Sequence, residues 1–280
     1  MKADRPSRTA QFVALGRALA DAGLSHVDGF HDPAAHVFLS DKGKRSLAKA
    51  ERDARSGKGG VRLEMTRRMA DMIGLRTVAI DAAVRRAIAG GTRQLVILGA
   101  GYDGRAWRLP ELAGVNVFEV DHPATQGDKR KHLAELPPAI GDVKFVAVDF
   151  ERESPTSALA RAGLNAALPP CWIWEGVVMY LTHEAMRATL AGIAASSAPG
   201  STLIVNYHTI HRRFLARLVF RLIGEPQISA WSPDEMAADL RSVGFTVDED
   251  SGMLDWNRQF AHGKAKVERA AYMRVATAHY

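Results

Sequence analysis

The stretch Leu95-Val96-Ile97-Leu98-Gly99-Ala100-Gly101-Tyr102-Asp103-Gly104 decides the reading of the chain. Four apolar residues give the pattern of a short buried strand, and glycines at 99, 101 and 104 follow at once in the spacing G-x-G-x-x-G. Such a loop lets backbone approach a ligand closely, and the helix expected after it offers free N–H groups. Twenty residues beyond Gly101, the apolar run Val115 to Val120 ends in Asp121. A carboxylate there can accept hydrogen bonds from both hydroxyls of a ribose. Loop and acid together predict an adenosine-containing ligand, with backbone contacts from Gly99, Ala100 and Gly101 and the ribose at Asp121 and His122. His122 precedes Pro123 and reads as positional rather than catalytic. The pair serves nicotinamide and sulfonium cofactors alike.

Outward from the loop, short apolar runs recur at Phe145 to Val148, Cys171 to Met179 and Thr202 to Val205, with helical segments between them. That alternation predicts an α/β fold with a mostly parallel sheet covered on both faces. Ser232-Pro233-Asp234-Glu235 is a capping box opening a helix that runs to about Ser242. Two final strand-like runs, Phe245 to Val247 and Val267 to Val275, are joined by a polar stretch rather than a helix, and so are expected to pair antiparallel. Upstream, residues from about 7 to 92 carry helical periodicity: Phe12, Leu15 and Leu19 share one face, and Met65, Met69, Met72 and Ile73 another. Phe30-His31-Asp32-Pro33 reads as a turn with Asp32 as N-cap and Pro33 at the first helical position. A last helix, Val78 to Ala89, is closed by Gly90-Gly91. The expected organisation is a helical cap over 1–92 and a ligand-binding domain over 93–280, with a substrate-covering insertion at about 208–231.

With 47% hydrophobic and 24% charged residues, composition is that of an ordinary globular chain. A polar start at Met1-Lys2-Ala3-Asp4-Arg5 is not a signal peptide, and no apolar run approaches the ~18 residues of a membrane span, so a cytoplasmic protein is expected. The single cysteine, Cys171, excludes an intramolecular disulfide and reads as packing. Residues 1–94 hold 18 Lys and Arg against 10 Asp and Glu, whereas 95–280 hold 19 against 21. The basic run from Lys42 to Arg68 reads as a solvated helix face with a loop at 55–60. A basic lid attracting an anionic substrate is the sharper alternative. No aromatic residues interleave with the cations, so neither nucleic acid nor membrane is an expected partner. In His211 to Ile223, Phe214, Leu218 and Leu222 share one face and arginines the other, which suits a cap over a pocket better than a membrane-surface helix.

Three further positions bear on the ligand. Asp149-Phe150 closes the third strand, where an acid can meet an adenine amino group and a ring can cover the base. Arg76 precedes the first strand and can reach an amino-acid carboxylate, a group that a dinucleotide lacks. Glu175, in Trp172-Ile173-Trp174-Glu175-Gly176, sits at the crevice end of the fourth strand, where a carboxylate without a partner would be costly. Tyr207 and His208, after the fifth strand, are the candidates to contact or deprotonate an acceptor, with ordinary strand-end packing as the alternative. His208 and His211 form H-x-x-H without an evident third ligand, so no metal is expected. Arg105 and Arg108 read as anchors between the helix after the loop and the cap.

Gly-Ala-Gly-Tyr-Asp-Gly-Arg-Ala-Trp-Arg-Leu (99–109), Phe-Glu-Val-Asp-His-Pro (118–123), Trp-Glu-Gly-Val-Val-Met-Tyr-Leu (174–181) and Gly-Glu-Pro (224–226) together resemble the leucine carboxyl methyltransferase family. They are most similar to its bacterial branch, which includes polyketide carboxyl O-methyltransferases of the tetracenomycin type. The resemblance implies a class I methyltransferase sheet, Rossmann-like and seven-stranded, mostly parallel with an antiparallel last strand, under an N-terminal helical cap. It implies S-adenosyl-L-methionine as cofactor and S-adenosyl-L-homocysteine as product. Arg76 would hold the cofactor carboxylate, Gly99 border the methionine, and Asp121 hold the ribose. Asp149 and Phe150 would contact adenine, and Glu175 would lie near the methionine amine or the substrate. One departure stands out: Gly104 replaces the family's usual threonine. The expected activity is O-methylation of a small-molecule carboxylate or hydroxyl. A nicotinamide-dependent oxidoreductase is the alternative that the glycine spacing permits, but the long helical prefix and the lack of a second mononucleotide-binding half weigh against it. A non-catalytic interaction module keeping the cofactor fold is the third.

Overall fold

In the computed structural model, residues 6–149, 153–209 and 228–280 are described. Seven strands form one sheet: β1 (Gln94–Leu98), β2 (Asn116–Asp121), β3 (Asp142–Ala147), β4 (Cys171–Trp174), β5 (Thr202–His208), β6 (Thr246–Gly252) and β7 (Met273–His279), in the spatial order β3-β2-β1-β4-β5-β7-β6. Strands β1 to β5 run parallel, and β7 lies antiparallel between β5 and β6. This is the class I methyltransferase sheet. Strand order reverses between β1 and β4, and at such a switch point the strand ends splay into a ligand-binding crevice.

Alternation along β1 shows why the sheet is covered twice. Leu95 and Ile97 face a core completed by Leu75, Ile80, Val84 and Ile88 from the helix α4 (Gly60–Ala89). Val96 and Leu98 point the other way, toward Leu190 and Ile193 of α5 (His183–Ala195) and Met236 and Leu240 of α6 (Pro233–Ser242). A third apolar cluster lies within the N-terminal helices α1 (Arg8–Leu19), α2 (Ala34–Val37) and α3 (Asp41–Arg55). It joins Ala14, Ala18, Phe38 and Leu47 to Tyr102 of the glycine loop. The helical layer is thereby packed directly onto the loop. No helix among the described residues is long and apolar enough to cross a membrane.

Several local expectations are corrected. The apolar run from Cys171 is a strand only to Trp174. Gly176 then takes φ +70°, which breaks the extended path, and Val178–Tyr180 coil into a 3-10 turn. The polar stretch before the last strand holds a helix, α7 (Met253–Ala261). Asp255 Oδ2 accepts from the Gly252 N–H at 3.0 Å, Met253 and Trp256 are buried, and His262 in the left-handed region ends it. Its charged outer face concealed the apolar spacing. The last strand begins at Met273 rather than Val267, where a 3-10 turn (Glu268–Ala270) intervenes. The segments around Met69 and Val78 are one 30-residue helix, in which Gly74 is tolerated because Val27 and Ala20 pack against it. Phe12 and Met65 are exposed, since small residues such as Ala14 and Ala70 make the close helix contacts instead. Asp32 does cap α2, accepting from the Ala35 N–H at 3.2 Å, and the Ser232 capping box is present as read. Phe150, the helix expected at 211–223, Gly-Glu-Pro (224–226) and most of the insertion at 208–231 lie outside the described residues.

Candidate functional site

Six of the residues singled out above, Gly99, Ala100, Gly101, Asp121, His122 and Glu175, lie at the ends of β1, β2 and β4, and a seventh, Arg76 of α4, meets Glu175. Gly99 and Gly101 hold φ +68° and +55°, backbone that a residue with a Cβ avoids. The loop is pinned to the neighbouring strand: the N–H groups of Gly99 and Ala100 donate to the Val120 carbonyl at 2.8 and 3.1 Å. The Gly101 N–H donates to Asp121 Oδ2, and the His122 N–H to Oδ1 at 2.6 Å. Burial pushes the Asp121 carboxyl up, and those two N–H groups oppose the shift. His122 caps the next helix, its Nδ1 accepting from the Ala124 N–H at 3.2 Å. Asp149 stands half-buried just beyond the end of β3, the strand that pairs with β2.

On the other side of Gly99 lies the turn after β4. A Cβ at Gly99 would stand 2.4 Å from Val177 Cγ2, so the loop and this turn touch with no room for a side chain. Two residues back, Glu175 faces Arg76, with Nε and Oε1 2.8 Å apart. Both atoms are buried, yet neither makes a hydrogen bond; the contact is charge against charge, without N–H alignment. Burial raises the Glu175 carboxyl, but Arg76 and Arg105 outweigh it and hold it below the usual range.

That pair ends a chain of buried charges, in which sequence reading assigns no role to Arg17, Asp81 or Asp103. Arg17 meets Asp32 at 3.3 Å, Asp32 meets Arg108 at 3.3 Å, and Arg108 meets Asp81 at 2.6 Å. Asp81 meets Arg105 at 2.8 Å, and Arg105 also binds Asp103 and, at 3.0 Å, Glu175 Oε2. Four arginines and four carboxylates therefore cancel, which is how so many charges can be buried at all. Burial would raise Asp103, but Arg105, Arg17 and Lys129 take it down to about 2. Arg105 and Arg108 tie the post-loop helix to the N-terminal helical layer through hydrogen bonds to Asp81 of α4, and Arg108 also faces Asp32 as an ion pair. The signal available in sequence was Asp81 itself, an acid inside the apolar stretch Ala79-Ile80-Asp81-Ala82-Ala83-Val84.

Tyr207 is not brought to this crevice. Its hydroxyl donates to Asp250 Oδ2 at 2.6 Å, and Arg274 Nε donates to the same carboxylate at 2.9 Å, tying β5 to β6 across β7. Alternation in β5 sends its ring into the core beside Val205. The phenol is pushed up, by burial first and then by Asp250, so the expected deprotonating role is corrected to a cross-strand link. His208, the last residue of β5, is buried edge-on to Tyr272 at 4.8 Å. Asn206 was not anticipated. Its Oδ1 accepts from the Gly176 N–H at 3.3 Å and its amide donates to the Arg274 carbonyl at 2.9 Å, holding the β4 turn in place.

The residues present fit a ligand with an adenosine at one end and an amino acid at the other. The glycine cradle and Asp121 suit the first, and the unaligned Arg76–Glu175 pair offers one cation and one anion to the second. Similarity to known proteins agrees. The leucine carboxyl methyltransferase profile matches residues 10–194. A protein of Mycolicibacterium smegmatis, provisionally named an S-adenosyl-L-methionine-dependent methyltransferase, is 37% identical over 242 residues, 86% of this chain and 74% of its own. A Mycobacterium avium protein with the same provisional name is 37% identical over 201 residues, 70% of this chain, and the match spans only 64% of that relative's length. Among solved structures, a provisionally assigned methyltransferase from Thermobifida fusca superposes with a TM-score of 0.57 at 14% identity, covering 98% of this chain and 95% of its own. At that identity the likeness concerns the fold alone. The chain belongs to the leucine carboxyl methyltransferase family.

Proposed function

We propose that this protein is an S-adenosyl-L-methionine-dependent O-methyltransferase acting on a small-molecule carboxylate, as in the polyketide-modifying branch of the family. The observation that carries the reading is the Arg76–Glu175 pair beside Gly99: two buried, oppositely charged groups in contact but not hydrogen-bonded. Arg76 would receive the carboxylate of the cofactor's methionine and Glu175 its ammonium. Asp121 would hold the ribose hydroxyls, Gly99 would let the chain pass close, and Asp149 with Phe150 would take the adenine. When bound, the cofactor supplies an electrophilic methyl group on a sulfonium that is its own leaving group. The protein's part is then alignment of an acceptor oxygen in line with the C–S bond and exclusion of water. Carboxylate is favoured over hydroxyl because an ionised acceptor needs no base, and Tyr207, the strand-end phenol, is engaged with Asp250.

Calorimetric titration with S-adenosylmethionine, S-adenosylhomocysteine and NAD tests the cofactor. The sulfonium and thioether forms should bind and NAD should not, and Asp121→Ala should abolish binding. Tight NAD binding alone would return the oxidoreductase reading. A mass-spectrometric screen of paired carboxylic acids and phenols tests the acceptor, with methyl esters as the expected products. Methyl ethers alone would refute the carboxylate assignment.

A further inference from the structure

Arg105 is fully buried and stands where three elements meet. Its Nε donates to Asp81 Oδ1 of α4 at 2.8 Å, its Nη1 to Asp103 Oδ2 of the glycine loop, and its Nη2 to Glu175 Oε2 at the end of β4 at 3.0 Å. The Glu175 carboxylate is thus held unevenly. Oε2 accepts a hydrogen bond from a fixed guanidinium, whereas Oε1 only faces Arg76 without one. A ligand ammonium arriving at Oε1, with its carboxylate turned to Arg76, would separate that pair and leave Oε2 as it is.

We infer that Arg105, anchored by Asp81, is the positioning residue of the amino-acid end of the cofactor site. It keeps Glu175 ionised and in place while Arg76 exchanges partners. The inference rests on the S-adenosylmethionine reading above and extends it to two residues outside contact with the ligand. Physical reasons favour Arg105 over the neighbouring cations. Arg108 is occupied by Asp81 and Asp32, and Arg17 by Asp32 and the Tyr102 carbonyl. Lys129 is paired with Glu119 at 2.5 Å. Once Arg76 has turned to another carboxylate, the cation still bonded to Glu175 is Arg105. A planar fork with all three nitrogens engaged cannot swing away, which a lysine at this position would do.

A purely structural staple would make a different prediction, because loosening the glycine loop would weaken every part of the ligand alike. The experiment is therefore calorimetric titration of wild type, Arg105→Lys and Asp81→Asn with two ligands, S-adenosylhomocysteine and 5′-methylthioadenosine. The second keeps the adenosine and thioether but lacks the amino acid. In Arg105→Lys, S-adenosylhomocysteine should weaken by about tenfold or more, the scale of a lost charged hydrogen bond, and methylthioadenosine by less than about twofold. Asp81→Asn, near-isosteric and remote from the ligand, should show the same selectivity and serves if Arg105→Lys does not fold. Equal weakening of both ligands, or unchanged S-adenosylhomocysteine affinity, overturns the inference while leaving the cofactor reading standing. Wild type that binds neither ligand overturns both.

Discussion

Replacing Gly99 with alanine tests the crevice at its tightest point. Two costs are separable in the structure. The backbone at +68° places an alanine in the left-handed region, about 1–2 kcal/mol. The new methyl would stand 2.4 Å from Val177 Cγ2, with its next neighbour, Val177 Cβ, at 3.8 Å, so the crowding is confined to one side chain. Overpacking of this kind adds about 1–3 kcal/mol. Together they predict a melting temperature lowered by roughly 5–15 °C for a chain of this size. Val177→Ala removes the collision but not the backbone cost. The double variant should therefore be more stable than the sum of the two single effects by about 1 kcal/mol or more, a clear departure from additivity. Thermal unfolding by circular dichroism supplies the cycle, and S-adenosylhomocysteine titration on the same proteins reads binding, which both Gly99→Ala variants should weaken. A Gly99→Ala protein that melts with wild type would refute the geometry of the loop. Additive single effects would refute the contact with the β4 turn.

Tyr207→Phe should cost about 1–3 kcal/mol in stability through the lost bond to Asp250 while leaving methyl-transfer kcat unchanged; a large fall in kcat with normal melting would put Tyr207 back in the reaction. Asp103 sits at about 2 against an ordinary 3.8, and a depressed carboxyl contributes stability that is complete above the ordinary value and lost as pH falls through the folded one. Urea midpoints should therefore decline between about pH 4 and pH 2, and Asp103→Asn should flatten that decline; an unchanged slope would contradict the pairing. Burial pushes the Cys171 thiol up to about 12, so thiol reagents should label it only at the rate of unfolding, and fast labelling of native protein would contradict its place in the central strand.

What sequence made legible was the part of the fold carried by period and punctuation. Leu95 to Leu98 followed by three glycines, and Val117 to Val120 followed by Asp121, are local signals, and each means the same thing wherever the strand ends up. The Ser232 box is equally self-contained. What failed was local evidence overruled by tertiary contact. Cys171 to Met179 has the apolar run of a long strand, but Gly176 turns it, because Glu175 must leave the sheet to meet Arg76 and Arg105. Tyr207 looked available at a strand end, yet its hydroxyl is taken by Asp250, 43 residues away and two strands over. No spacing rule reaches that far. The buried charge chain was half visible. Arg105 and Arg108 were placed as anchors, but their shared partner Asp81 needs the register of α4 against β1 to be found.

A glycine at 104 fits the same charge chain. A Cβ at 104 would lie 2.6 Å from Asp32 Oδ1 and 3.0 Å from the Ala34 methyl, so the room a threonine needs is filled by the turn that opens α2. Asp32 cannot retreat easily: it is fully buried, it faces Arg17 and Arg108, and it caps α2 through the Ala35 N–H. The glycine and the carboxylate therefore belong together. At 104 a charged cap residue stands directly against the backbone. The glycine loop, the feature most legible in the sequence, is thus held on one side by Val120 and Asp121 and on the other by Arg17, Asp32 and Arg105.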